Sequence, residues 1–177
     1  PGARAVLNFV RSTPASLSYD INVRPSVLSD RVEYFQRVEQ LIAAVGASGG
    51  IVKASDEDIC WLVDDPDPLP YAEAWCIEYG LALCIVTLGP DGAVAIKPDG
   101  RQVRVPGHAV ELVDTVGAGD TFMAGFLASY AKRPDDVERA LRWGAGASAL
   151  VCSRQGANPP TRAELERFLS APKKKIG

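Results

Sequence analysis

Leu83-Cys84-Ile85-Val86-Thr87-Leu88, halted by Gly89-Pro90-Asp91-Gly92, is a short and almost wholly apolar run that reads as a buried strand. A helical stretch from Tyr71 to Tyr79 precedes it. A hairpin follows, Ala93–Ile96 and Gln102–Val105 joined by Pro98-Asp99-Gly100. Working outward, Leu17–Ile21 and Ile51–Ala54 read as two further strands. Between them Val32, Phe35, Val38, Leu41, Ile42 and Val45 recur at threes and fours, which predicts a helix over 30–45 that stops at Gly49-Gly50. Ser55 can cap a short helix through Val63, and the Asp/Pro-rich stretch Asp64–Pro70 is a surface loop. Beyond the hairpin, one helix starts near Asp120 with Phe122, Phe126 and Tyr130 on one stripe. A second spans Val137–Val151, and a third opens on the capping box Thr161-x-x-Glu164 and ends near Leu169. Strands alternating with helices predict an α/β fold: a three-layer sandwich with a mainly parallel sheet, right-handed crossovers and the hairpin on one edge.

At 177 residues and 18.9 kDa the chain fits one ordinary domain, or two only if both are small; residues 1–170 are expected to be folded, with 171–177 as a frayed basic tail carrying Lys173-Lys174-Lys175. Net charge is −3, and no basic stripe suggests nucleic-acid binding. No apolar run approaches the roughly 20 residues that span a bilayer, so no membrane partner is expected. Cys60, Cys76, Cys84 and Cys152 form no C-x-x-C pair and no zinc spacing, and the chain has 1 histidine. Buried free thiols and a cytoplasmic location are the expectation. The chain opens Pro1-Gly2-Ala3 and its sole methionine is Met123, which suggests a piece of something longer.

The chemistry concentrates in Asp114-Thr115-Val116-Gly117-Ala118-Gly119-Asp120-Thr121, directly before a helical pattern. Glycines flanking one alanine let several N–H groups face the same way, and a helix N-terminus adds partial positive charge, so the stretch can receive an anion. No Gly-Lys-Ser/Thr follows, which excludes a Walker A loop. Phe122 stands where a dinucleotide fingerprint needs its third glycine. A loop for phosphate alone has no use for the carboxylate of Asp120, whereas phosphoryl transfer to a hydroxyl does need a base there. A glycine-rich connection with Asp120 as an ordinary N-cap is the competing reading on spacing alone.

Asp114 to Asp120, continued by Thr121-Phe122-Met123-Ala124-Gly125-Phe126, resembles the C-terminal signature of the ribokinase-like, or pfkB, family of sugar and nucleoside kinases, and the likeness runs from about Leu17 to Leu169. The resemblance implies that Asp120 is the catalytic base, and that the N–H groups of Gly117, Ala118 and Gly119 form the anion hole for the γ-phosphoryl. Asp20-x-Asn22-x-Arg24 resembles an element of the fructokinase and 2-keto-3-deoxygluconate kinase branches, with Asn22 and Arg24 toward substrate or phosphate. An Asp20/Arg24 surface ion pair is the alternative there. Lys53 and Ser55 fall where the family contacts nucleotide. Ser55-x-x-Asp58 replaces the family's Asn-x-x-Glu, with Asp58 implied to hold magnesium through water; a local helix cap is the alternative. Thr87, Gly89 and Gly92 match the family's T-L-G-x-x-G nucleotide turn, which could otherwise be a simple strand-ending turn. Carbonyls of Asp114, Val116, Val151, Arg154 and Gly156 match a monovalent-cation site, in which Pro160 replaces a serine that ribokinases use; this departure weighs against potassium activation. His108 is expected to be a surface residue.

The resemblance implies ATP, Mg2+ and a K+ option as cofactors, and a small sugar as substrate, with fructose favoured. ATP with magnesium is expected across Thr87–Gly92 and the N-terminus of the Asp120 helix. The resemblance further implies that residues 1–170 are the C-terminal nucleotide-binding and catalytic part of a ribokinase-like domain, expected to lack the N-terminal part and lid of relatives, with a homodimer through that lid as the option for the full-length protein. Another pfkB kinase, such as a 2-keto-3-deoxygluconate kinase or ribokinase, is the alternative enzyme. A non-catalytic nucleotide-binding fragment is the alternative outside enzymes.

Overall fold

The structure, a computed structural model, describes residues 2–27 and 30–171. The final lysines, in most of the expected frayed tail, lie outside the described residues. The elements in chain order are α1 (Gly2–Ser12), β1 (Ser18–Asp20), α2 (Arg31–Gly46), β2 (Ile51–Ser55), α3 (Asp56–Val63), α4 (Leu69–Glu78), β3 (Leu83–Thr87), β4 (Ala93–Ile96), β5 (Gln102–Val105), α5 (Ala118–Tyr130), α6 (Val137–Cys152) and α7 (Arg162–Ser170). Strands and helices fall within a few residues of the expected bounds. The exception is α1, a segment with no assignment in the sequence reading. Its Val6, Phe9 and Val10 share one face at three- and four-residue spacing; Val10 packs toward the core while Val6 and Phe9 are 52% and 65% exposed, so that face is only partly covered among the described residues.

The chain divides into two compact units, Pro1–Leu88 with Val94–Val103, and Gly89–Ala93 with Arg104–Gly177. The strands form a five-stranded sheet in sequential order β1-β2-β3-β4-β5. β1 pairs with β2 in parallel, with Ser18 opposite Ile51 and Asp20 opposite Lys53; β2 pairs with β3 in parallel, with Ile51 opposite Leu83 and Ser55 opposite Thr87. Ile51–Ala54 and Leu83–Val86 are buried along their whole length, as strands covered on both faces must be. β5 instead exposes Gln102 and Arg104 and buries Val105, the pattern of an edge. The hairpin turn closes where Lys97 N–H donates to Arg101 O at 2.9 Å.

In the first unit the core gathers Val52, Val86 and Val94 of the sheet with Ile42 of α2, Ile59 of α3 and Trp75 of α4. Tyr34 meets Trp61 edge-on at 5.4 Å. Asp30 caps α2 by accepting from Glu33 N–H. Cys76 and Cys84 are buried as expected, whereas Cys60 and Cys152 are only half-buried, and all four are free thiols.

In the second unit α5 and α6 pack at glycine range. A Cβ on Gly125 would stand 2.7 Å from the Trp143 carbonyl oxygen, and one on Gly144 would meet the Phe122 ring at 3.0 Å. Leu165 and Leu169 of α7 close on Gly146 in the same way. Backbone contact this close leaves α5 little freedom to slide, which fixes where its N-terminus points. Among the described residues, no helix is long and apolar enough to cross a membrane.

Gly92 and Gly107 interlock: a Cβ on Gly92 (φ +101°) would lie 2.1 Å from the Val105 carbonyl oxygen, and one on Gly107 equally close to that of Pro90. Gly49 (φ +62°) has open space instead. Gly92→Ala must therefore cost at least about 3 kcal/mol, against about 1–2 kcal/mol for Gly49→Ala, where only the backbone is strained. Thermal unfolding of both variants should separate them by several degrees, at roughly 2–4 °C per kcal/mol. Equal melting temperatures would show that the interlock does not constrain the turn.

Candidate active site

In the second unit the signature loop is tied down before the helix begins. Val113 N–H and Asp114 N–H both donate to Cys152 O, at 2.9 and 3.2 Å. The Asp114 carboxylate then bridges two loops: Oδ1 accepts from Val116 N–H at 3.0 Å, and Oδ2 from Gly156 N–H at 2.9 Å. Those donors, Val116 first and Gly156 next, hold the Asp114 carboxyl below the usual carboxylate range.

Gly117, at φ 78° and ψ 8°, is the N-cap of α5 and makes no side-chain cap bond. A left-handed residue is easiest for glycine. Ala118, Gly119 and Asp120 are consequently the first three helical residues, whose N–H groups have no intrahelical acceptor. Ala118 N–H donates to Thr115 O at 3.1 Å, so that one expected anion donor is engaged in a turn bond that an incoming anion must replace. Asp120 is exposed at the third helical position, so the ordinary N-cap role belongs to Gly117 and not to Asp120. A carboxylate in the first turn is favoured by the helix dipole, and here it faces solvent beside the turn.

The second loop, 153–160, lies against the first. Ala157 Cβ is 3.1 Å from where a Cβ on Gly117 would sit. Val151 O accepts from Arg154 N–H at 3.0 Å, and Gly156 O from Asn158 N–H at 2.8 Å. The Arg154 guanidinium reaches Glu164 Oε1 at 2.7 Å. Glu164 Oε2 accepts from both the backbone and the hydroxyl of Thr161, each at 2.7 Å, completing the capping box expected from sequence. His108 packs against Phe168 with ring centroids 5.0 Å apart and the planes tilted by 56°. In the glycine turn, Gly89–Asp91 forms a single tight helical turn and Gly92 N–H donates to Gly89 O at 3.3 Å.

The first unit holds the remaining candidates. Asp58 is buried, with Oδ1 accepting from Val23 N–H and Oδ2 from Ser55 N–H, both at 2.9 Å; Ser55 Oγ accepts in return from Asp58 N–H at 3.0 Å. The capping box weighed at this position is therefore formed, and it also pins the chain after β1. Lys53, 5% exposed, donates to both carboxylate oxygens of Asp20, at 3.3 and 3.1 Å. Asp20 thus meets Lys53, a partner the sequence reading did not assign to it. Asn22 stands exposed at φ 46°, and Arg24 is exposed with its guanidinium donating to Val23 O at 2.8 Å. Thr87 Oγ1 donates to Ala54 O at 3.4 Å.

Four features of these sites escaped the sequence reading: the side-chain role of Asp114, the side-chain role of Arg154, the contact of Ala157 with Gly117, and the pairing of Asp20 with Lys53. No local pattern joins positions this far apart in the chain.

The family model for pfkB family carbohydrate kinase matches residues 7–164. A fructokinase of Rhizobium leguminosarum bv. trifolii is 41% identical over 113 residues, covering 64% of this chain and 33% of that protein. A fructokinase of Vibrio alginolyticus is 29% identical over 160 residues, or 86% of this chain and 50% of that protein. Among solved structures, the fructokinase of Vibrio cholerae O395 in its fructose, ADP and calcium ion bound form aligns with a TM-score of 0.79 at 28% identity, over 94% of this chain and 54% of that one. The fold class expected from the sequence is the one these kinases share. The chain spans between a third and about half of the relatives it matches.

The Glu164 carboxyl is drawn down to about 2 from its ordinary 4.5, first by Thr161 and then by Arg154. A depressed native pKa means that its stabilisation is complete above the ordinary value and is lost as pH falls through the native one. Glu164→Gln should accordingly lower the melting temperature by a constant amount above about pH 5, and the gap should close as pH approaches about 2. A gap that does not change with pH would contradict this.

Proposed function

Because this chain belongs to the pfkB family of carbohydrate kinases, we propose that it is the nucleotide-binding and catalytic part of an ATP-dependent sugar kinase, with fructose as the favoured acceptor. The observation that carries the reading is Asp120 in the first turn of α5, exposed, with Gly117 rather than Asp120 serving as cap. A carboxylate not required by the helix terminus is available to take a proton from a sugar hydroxyl as that hydroxyl attacks phosphorus. Gly117 and Gly119 N–H, with Ala118 N–H once released from Thr115, would receive the charge that grows on the transferring phosphoryl oxygens. The bridge from Asp114 to Gly156 keeps those donors aligned without help from the substrate.

Magnesium fits this chain only modestly on its own side chains. Among the described residues no three Asp, Glu, His or Cys side chains gather to hold a metal. Asp58 is the one carboxylate assigned to it; each of its oxygens already accepts a backbone N–H and keeps capacity for water. When bound with ATP, magnesium neutralises phosphate charge, and Asp58 would act through water rather than as a direct ligand. Lys53 is held by Asp20 and would reach nucleotide only by loosening that pair. Fructose is favoured by the fructokinase relatives and by the Asp20-x-Asn22-x-Arg24 element, whose Asn22 and Arg24 remain exposed at the end of β1.

In the full-length enzyme, Asp120→Asn should lower kcat by about 10²–10⁴ while ATP affinity, read by calorimetry, holds or improves. Stability should fall by no more than the helix-dipole contribution, about 0.3–1 kcal/mol. Retention of more than about a tenth of kcat would remove Asp120 from the mechanism. Sugar choice is a separate measurement. A kcat/KM for ribose or 2-keto-3-deoxygluconate at least tenfold above that for fructose, about 1.4 kcal/mol, would reverse the assignment.

A further inference from the structure

One guanidinium holds the loop that underlies the anion-binding turn. Arg154 Nη1 donates back across the loop to the carbonyls of Asn158 and Pro159, at 3.4 and 3.5 Å, while Nη2 donates to Glu164 Oε1 at 2.7 Å. Both side chains are partly buried, 24% and 34% exposed, and Glu164 is locked from its other oxygen by Thr161. A pair fixed at both ends in this way loses less side-chain freedom on forming than an isolated surface pair does. The loop it holds touches the signature at two points. Gly156 N–H donates to Asp114 Oδ2, and Ala157 packs against Gly117. Asp114 passes the first contact on to Val116 N–H, one residue before the turn.

We propose that Arg154 and Glu164 are positioning residues for phosphoryl transfer, setting the donors of Gly117–Gly119 through the Gly156–Asp114 and Ala157–Gly117 contacts. The proposal rests on the kinase reading given above. Neither residue touches the reacting atoms, so their removal should misplace the donors without emptying the substrate sites. Displacements far from the chemistry can cost up to about 10²-fold in rate.

The test uses the full-length enzyme with three variants, Arg154→Leu, Arg154→Lys and Glu164→Gln, assayed at one fixed alkali-cation concentration. Arg154→Leu should lower kcat by about 10–100-fold with KM for ATP and sugar within about twofold of wild type. Arg154→Lys keeps the charge facing Glu164 and should recover most of that loss, although an ammonium cannot copy the fork. Glu164→Gln retains an acceptor for Thr161 and should show a smaller loss of the same kind. Hydrogen exchange is read in parallel: peptides covering 114–120 should exchange faster in Arg154→Leu, and those covering 51–63 should not.

A kcat within about twofold of wild type in Arg154→Leu, or unchanged exchange over 114–120, overturns the proposal. So does a loss that appears in KM as much as in kcat. Should Arg154→Leu fail to fold, Arg154→Lys and Glu164→Gln carry the same two readouts. Should the wild-type enzyme phosphorylate no sugar, the kinase reading falls, and exchange over 114–120 alone decides whether the pair braces the turn.

Discussion

Two hydrogen bonds to one carboxylate organise the second unit. Asp114 accepts from Val116 and from Gly156, and so joins the loop that leads into α5 to the loop that leaves α6. Without that bridge, Gly117 would be a flexible residue beside a helix terminus. With it, the left-handed cap is held over a fixed partner, and the first N–H groups of α5 take a set direction. The glycine-range packing of α5 on α6 supplies the rigid base, since neither helix can move without backbone meeting backbone. The terminus is thus aligned by its own chain, with only the Ala118 N–H turned aside to Thr115 O.

The first unit uses the same device. Asp58 accepts from Ser55 at its own helix terminus and from Val23 after β1, so a buried carboxylate again joins two loops at the carboxyl ends of parallel strands. Its side chain completes a capping box with Ser55, as the longer Glu164 does with Thr161 at α7. In doubly wound folds this edge of the sheet is where ligands gather. Cap and candidate ligand site are therefore built from the same groups, which is why spacing alone could not separate the two readings at Ser55-x-x-Asp58.

How far the sequence could be read follows from the range of the forces involved. β2, β3 and the hairpin were legible because burial on both faces and turn glycines leave local marks. Thr161 and Glu164 were legible as a cap for the same reason. Asp120 was found through a motif, and the structure adds that Gly117 relieves it of capping. Residues that act through distant partners were not legible: Asp114 with Gly156, Arg154 with Glu164, and Asp20 with Lys53 lie ten or more positions apart, and nothing periodic relates them. α1 left a local mark that went unread: Val6, Phe9 and Val10 recur at three and four, although only Val10 of the three is packed toward the core.

The pair of Lys53 and Asp20 has a consequence for assembly of the sheet. The two residues are opposite each other in the register of β1 and β2, and Lys53 is almost wholly buried. The apolar neighbours in β2 accept many alignments of a short strand about equally, because burial of hydrocarbon has little directional preference. A slip of one position would leave an ammonium facing Tyr19 or Ile21 in place of a carboxylate, and an unmatched buried charge costs several kcal/mol. The pair thus works as a key for strand alignment: it adds little to the depth of the native minimum, but it raises the energy of the mispaired sheets closest to it.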